Sequence, residues 1–258
     1  MATAAHRDPL VPQKHSLVER WFFVWMAFLM IAISVAGFMP AIVHSATRRA
    51  PLSLLAAIHG IVFFTWQLLY LAQSSLVAAH RAAWHRRLGA ASFVLLALMI
   101  VLGFTTTTAM VRRGFDLSGD QHVDPHPAAG VSLDAPTASV FNFAALLTFS
   151  VLAIAAIGYR RRPQVHKRLM LFANIALMSA PFAHLVGHIP QLGQTPTAFL
   201  LPYALLLLTA VGRDYLLERR VRLLTAALAI GMFVAMPIQA LAIGPSAAWH
   251  WFAIRLSQ

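Results

Sequence analysis

Long apolar runs separated by short polar connections dominate the chain. They fit residues 21–43, 52–79, 88–110, 137–159, 166–189, 198–216 and 222–243. Each is close to or above the ~20 residues that an α-helix needs to cross the ~30 Å hydrocarbon layer of a bilayer. The expected fold is therefore all-α and membrane-integral, with seven transmembrane helices. Residues 1–20 are polar, carry Pro9 and Pro12, and read as a tail. The first run is too long for a signal-peptide core and has no convincing cleavage site after it, so it is expected to be retained as a span. A six-span chain would leave 198–216 or 222–243 outside the bilayer, and both are too apolar for that.

The fifth run holds the most polar information. It opens on His166, Lys167 and Arg168 and closes on His184 and His188. At ~100° per residue, His166, Met170, His184 and His188 share one helix face, with Asn174 at its margin. Polar groups are expensive in hydrocarbon, so this face is expected to look toward other helices or a cavity. Pro181 is expected to kink the last turns. The second run repeats the pattern, with His59, Trp66, Tyr70, Gln73 and His80 near one face and Gln67 at its edge.

Composition agrees with the runs: of 258 residues, 59% are hydrophobic and 11% charged, and the mean hydropathy is +0.71. The formal net charge is +12, but the basic residues lie between the runs and are not interleaved with aromatics. Assigned to alternate sides, 15 Lys and Arg fall on one side and 5 on the other. The positive-inside rule makes the richer side cytoplasmic, with the N-terminus inside and the C-terminus outside, and explains the charge without nucleic acid. There is no cysteine, which excludes disulfides, thiolate metal sites and cysteine-held clusters. The two lysines, Lys14 and Lys167, lie at or beyond a membrane surface, which argues against a retinal Schiff base. No run carries an acidic residue in its interior, and Asp214 sits at the inner end of the sixth. A carboxylate proton relay has no parts here, and no nucleophile elbow, phosphate loop, dinucleotide fingerprint or HExxH motif is present.

Histidine is left as the chemistry-bearing residue. Topology puts His59, His184, His188, His44, His122, His126 and His250 at or outside the outer half of the bilayer. The outer loop 111–136 adds Asp116, Asp120, Asp124 and Asp134. Imidazole suits zinc, copper and iron, and histidines at i and i+4 can hold one ion from one helix face. His184 and His188 with His59 would supply three nitrogens and leave a position open. Alternatively, His59 and a fifth-run histidine are axial ligands of a haem, with His85 and His166 binding a second haem near the inner surface. Against these stand plainer roles. His184 and His188 can pack between helices, and His85 and His166 can anchor among arginines at helix starts. Met170 and Met178 read as core filler. Thr105 to Thr108, Asn174, Gln67 and Gln239 read as interhelical hydrogen bonders.

WHRRL at 84–88 and VHKRL at 165–169 each open a span after a basic connection, at an offset of 81 residues. A duplication would make spans two to five a four-helix core, and topology alone can also produce the repetition. His59-Gly60, HRRLG at 85–89 and HKRLM at 166–170 together resemble a family of small bacterial polytopic membrane proteins with histidines at helix starts. More loosely they are similar to the transmembrane b-type cytochromes of the ascorbate-reducible group. The resemblance implies a bacterial inner-membrane protein that moves electrons across the bilayer, with His59, His85, His166 and His184 or His188 as haem ligands. The fourth run departs from that pattern, offering Asn142 and hydroxyls but no histidine, which makes a single centre easier to build than two. The leading expectation is a histidine-ligated redox protein, with haem b or copper near the outer face and a quinone or periplasmic redox partner. The competing expectations are copper or zinc binding and delivery without redox catalysis, and a structural or assembly subunit.

Overall fold

The computed structural model describes residues 17–43, 51–114, 134–187, 189 and 196–258. These residues form helices and no strands. In chain order they are α1 (Leu17–Val43), α2 (Leu54–Ala78), α3 (Ala82–Gly89), α4 (Ala91–Arg113), α5 (Ala135–Gly158), α6 (Pro163–Ala176), α7 (Ser179–Gly187), α8 (Pro196–Glu218), α9 (Leu223–Ile238) and α10 (Ala247–Ser257). A π-helical turn, Gln239–Ile243, extends α9. Seven segments are long and apolar enough to span a membrane: Glu19–Val43, Leu54–Ala78, Ala91–Arg113, Ala135–Gly158, Pro163–Gly187, Phe199–Glu218 and Leu223–Ile243.

Local chemistry sets the ends. Ser53, Asp134 and Ser246 cap α2, α5 and α10, each accepting a hydrogen bond from the backbone N–H three residues on. Asp134 thus has a structural task beside its place in the acidic loop. α2 closes with His80 in the left-handed region at φ 59°. There His80 N–H reaches the carbonyl of Val77 and Arg81 N–H that of Leu76, the two bonds of a Schellman stop. Two elements differ from the sequence expectation. HRRLG does not begin the third span; it lies in α3, a short helix too polar to enter hydrocarbon. The chain after 243 forms α10, packed against α4 and α5 at the far end of the bundle.

The fifth span is the axis. Of its most apolar window 72% is buried, against 39% or less for every other span. It is broken at Leu177–Met178 into α6 and α7, because Pro181 lacks an N–H and its ring crowds the carbonyl four residues back, that of Leu177. Around α6, spans two to four complete a ring: α2 packs on α4, α4 on α5 and α5 on α6. Trp66 closes it, donating from Nε1 to Asn174 Oδ1 at 3.1 Å and meeting Phe149 edge-on. The core is not confined to these four spans, since Met26 and Met30 of α1 and Tyr203 and Leu206 of α8 belong to the same buried cluster. α1 crosses α7 so closely that a Cβ on Gly37 would lie 2.5 Å from the Pro181 carbonyl oxygen. Gly37→Ala is expected to force the helices apart and cost about 1–3 kcal/mol, read as a lower Tm in detergent; an unchanged Tm would show that the crossing is looser.

At the arginine-rich end, charge takes over from packing. Arg168 is 3% exposed and Asp214 1%. Arg168 donates from Nη2 to Asp214 Oδ1 at 2.7 Å and also pairs with Glu218. Its Nε donates to Thr225 Oγ1, and Thr225 donates onward to Asp214. Arg213 pairs with Asp214, Glu218 and Glu19, and Arg222 with Glu218. The network thereby ties the starts of α1, α6 and α9 to the end of α8. Removing one member of a buried pair leaves an uncompensated charge, at about 3–5 kcal/mol. Arg168→Met is therefore expected to lower stability by that amount in chemical or thermal unfolding. Arg168→Met combined with Asp214→Leu should recover much of the loss, and equal losses in the two variants would refute the ionic account.

Candidate functional site

The described histidines sort into two levels. At the arginine-rich end, α3 presents His85 and α6 presents His166, with ring centroids 6.3 Å apart and ring planes at 82°. His166 Nδ1 lies 2.8 Å from the carbonyl oxygen of Ala156, so it carries a proton and donates, leaving Nε2 available. His85 is held by Gln73 of α2. With the Gln73 amide turned so that its oxygen accepts from Gly89 N–H at 2.9 Å, its nitrogen donates to His85 Nδ1 at 2.6 Å and to the His85 carbonyl at 3.1 Å. His166 thus donates from Nδ1 to a carbonyl, the arrangement that orients histidines at metal centres, whereas His85 Nδ1 accepts from Gln73 and that ring's proton stands on Nε2. Two imidazoles sharing one ion at about 2.0–2.1 Å, each nitrogen about 1.1 Å from its ring centre, would have centroids about 6.3 Å apart.

The pair sits on the four-helix ring. Tyr70, one turn below Gln73 on α2, is buried, and its hydroxyl has no hydrogen-bond partner of good geometry. The Ser74 hydroxyl is its interaction partner nearby. Deeper still, Phe149, Met99 and Phe172 are completely enclosed and fill the bundle. The middle of the ring is thus filled by side chains, and the two imidazoles stand at its rim.

At the opposite level, His59 faces α4. Thr106 donates to the Leu102 carbonyl at 2.6 Å, so its oxygen accepts from His59 Nδ1 at 3.2 Å. The His59 ring stacks on Phe63 at 4.0 Å. His184 is 7% exposed and packs on Phe38 of α1 at 4.4 Å. His250 of α10 meets the Thr137 hydroxyl at 2.9 Å, with Asp134 3.7 Å away. Among the described residues, no three His, Cys, Asp or Glu side chains converge into a metal-holding group. His188, the third member of the expected three-nitrogen set, lies outside the described residues, while His59 meets Thr106 of α4 and His184 packs on Phe38 of α1. His44, His122 and His126 also lie outside them. His80 accepts from Arg20 at 3.1 Å beside its role in the helix stop.

The ionic network is the feature that the sequence reading overlooks. Asp214 and Glu218 stand at i and i+4 on one face of α8, and Arg222 follows just beyond the turn that ends it. That spacing is the available signal; the partner Arg168 looks like one more positive-inside charge.

Comparison with family models, with curated proteins and with solved structures found no match. What the fold defines is thus the class: a multi-pass helical membrane protein.

Burial, reinforced by electrostatic interaction with the neighbouring His166 ring and the Arg86 guanidinium, holds His85 below the usual imidazole range. His85 is therefore neutral at pH 7. The unfolded chain takes up its proton near pH 6.5 while the folded one resists until lower pH. The stability that neutral His85 contributes is full above about pH 6.5 and is lost as pH falls toward the folded value. Tm is expected to fall on acidification from pH 7.5 to 5, and less steeply in His85→Gln; identical profiles would remove His85 as a contributor.

Proposed function

We propose that the chain is a membrane-embedded redox protein in which His85 and His166 provide the two axial nitrogens of a haem b, serving electron transfer in a bacterial inner membrane. The observation that carries this reading is the separation of 6.3 Å between the two imidazoles, each braced at Nδ1. The ligand count supports it further. A protein-only zinc site needs four ligands, and among the described residues no third group joins these two. Two imidazoles are what a porphyrin-bound iron lacks, since the macrocycle fills the other four positions. Linear copper(I) is the other ion that two nitrogens satisfy.

Haem iron supplies one-electron exchange; the chain supplies position and electrostatics. Ala156 C=O fixes His166 in the tautomer that leaves Nε2 unprotonated. For His85 to hold the iron through Nε2, its ring proton would have to sit on Nδ1, beside the Gln73 side chain. By the positive-inside rule this end is cytoplasmic, so the electron partner would be a quinone at the inner leaflet or a soluble cytoplasmic redox protein.

Protein purified gently in detergent is expected to hold close to one iron per chain, with a haem absorption band. His85→Ala and His166→Ala are each expected to lose most of it, while His59→Ala and His184→Ala keep it. Gln73→Leu is expected to weaken retention about 10-fold, as loss of an outer partner does at metal centres. Folded wild-type protein without iron or copper, or iron that follows His59 and His184 instead, would overturn the proposal.

A further inference from the structure

The arginine-rich end carries more positive charge than its network neutralises. Lys167, Arg168, Arg213, Arg219, Arg220 and Arg222 share this end with three carboxylates, Glu19, Asp214 and Glu218, which leaves a surplus of three charges. The surplus has a place. Between the start of α6 and the turn joining α8 to α9 lies an open cleft of about 410 Å³, lined by Gln164, Arg168, Arg220, Val221, Arg222 and Leu223 among others. Its walls differ. Arg168 forms a buried floor, already committed to Asp214 and Glu218 and fixed by Gln164. Arg222 is paired with Glu218, whereas Arg220 is exposed and makes no ion pair among the described residues. Beside these cations stand bare aliphatics: Leu223 is 85% exposed and Val221 38%.

We infer that this cleft binds an anionic phospholipid, its phosphodiester on Arg220 and Arg222 and the upper part of its acyl chains on Val221, Leu223 and Leu224. A soluble phosphate would use the cations and ignore the aliphatic wall. An acyl chain without an anionic head would do the reverse. An amphiphile with a negative head matches both, at the depth where the seventh span enters hydrocarbon. The site is independent of any centre at His85 and His166.

The test is thermal unfolding of the detergent-solubilised full chain titrated with phosphatidylglycerol, phosphatidylcholine or inorganic phosphate. Phosphatidylglycerol is expected to raise Tm saturably, and phosphatidylcholine and phosphate not to. Arg220→Gln, which leaves the buried network intact, should weaken the phosphatidylglycerol response by about 10-fold in midpoint concentration, whereas Arg161→Gln, outside the cleft, should leave it unchanged. Equal stabilisation by phosphatidylcholine or by phosphate would overturn the inference. So would a phosphatidylglycerol response that Arg220→Gln does not move, or one that Arg161→Gln weakens equally. Native mass spectrometry of wild type and Arg220→Gln, comparing retained anionic lipid, gives a second readout that does not depend on stability.

Discussion

A polar group inside hydrocarbon has no water to turn to, and the fold gathers its most polar span where other helices supply partners. The fifth span shows the consequence. It carries Arg168, Asn174 and His184, and it is the most buried span in the molecule. Asn174 receives Trp66 and donates to the Met170 carbonyl of its own helix. Arg168 is enclosed by Asp214, Glu218, Thr225 and Gln164. With the polar span at the centre, α1, α5, α8 and α9 pack directly on it, and the exposed faces of the other spans carry large aliphatics and aromatics, such as Ile61, Phe93, Leu147, Leu201 and Ile230.

The same constraint shapes the ends. Where α6 begins, the chain leaves hydrocarbon and charge becomes tolerable, so the ionic network, the His85–His166 pair and the arginine-lined cleft all gather at one level. The two histidines come together because α3 folds back beside the start of α6, with Gln73 of α2 and the Ala156 carbonyl of α5 each taking one ring nitrogen. Four elements must be in place before this site exists, and the site is positioned by the packed ring beneath it.

Much of this fold is legible in the sequence, because a bilayer turns length and hydropathy into structure directly. The seven spans are found with ends shifted by a few residues, and the burial of the fifth follows from its polar face. Pro181 announces the break, whereas α10, at eleven residues too short for a span, is not found from the apolar runs. The site is less legible, for a physical reason: spacing along one helix reveals a shared face, not which helix it meets. His184 and His188 at i and i+4 draw the eye, yet His184 turns to Phe38 of α1. His85 and His166 are paired in the sequence by the helix starts repeated 81 residues apart, which places them at one level and leaves their distance open. The ionic network hides in the same way, since Arg168 and Asp214 belong to different spans and each passes singly for a residue of the membrane surface.

The central claim is that two imidazoles on different helices share one metal ion, and counting them at the ion tests it most directly. X-ray absorption at the metal edge of the purified, metal-bearing protein should show two imidazole nitrogens on the ion. In His166→Ala supplemented with free imidazole, the count should return to two. A spectrum with one imidazole or none, or a two-imidazole spectrum that persists in His85→Ala and His166→Ala without added imidazole, would contradict the account.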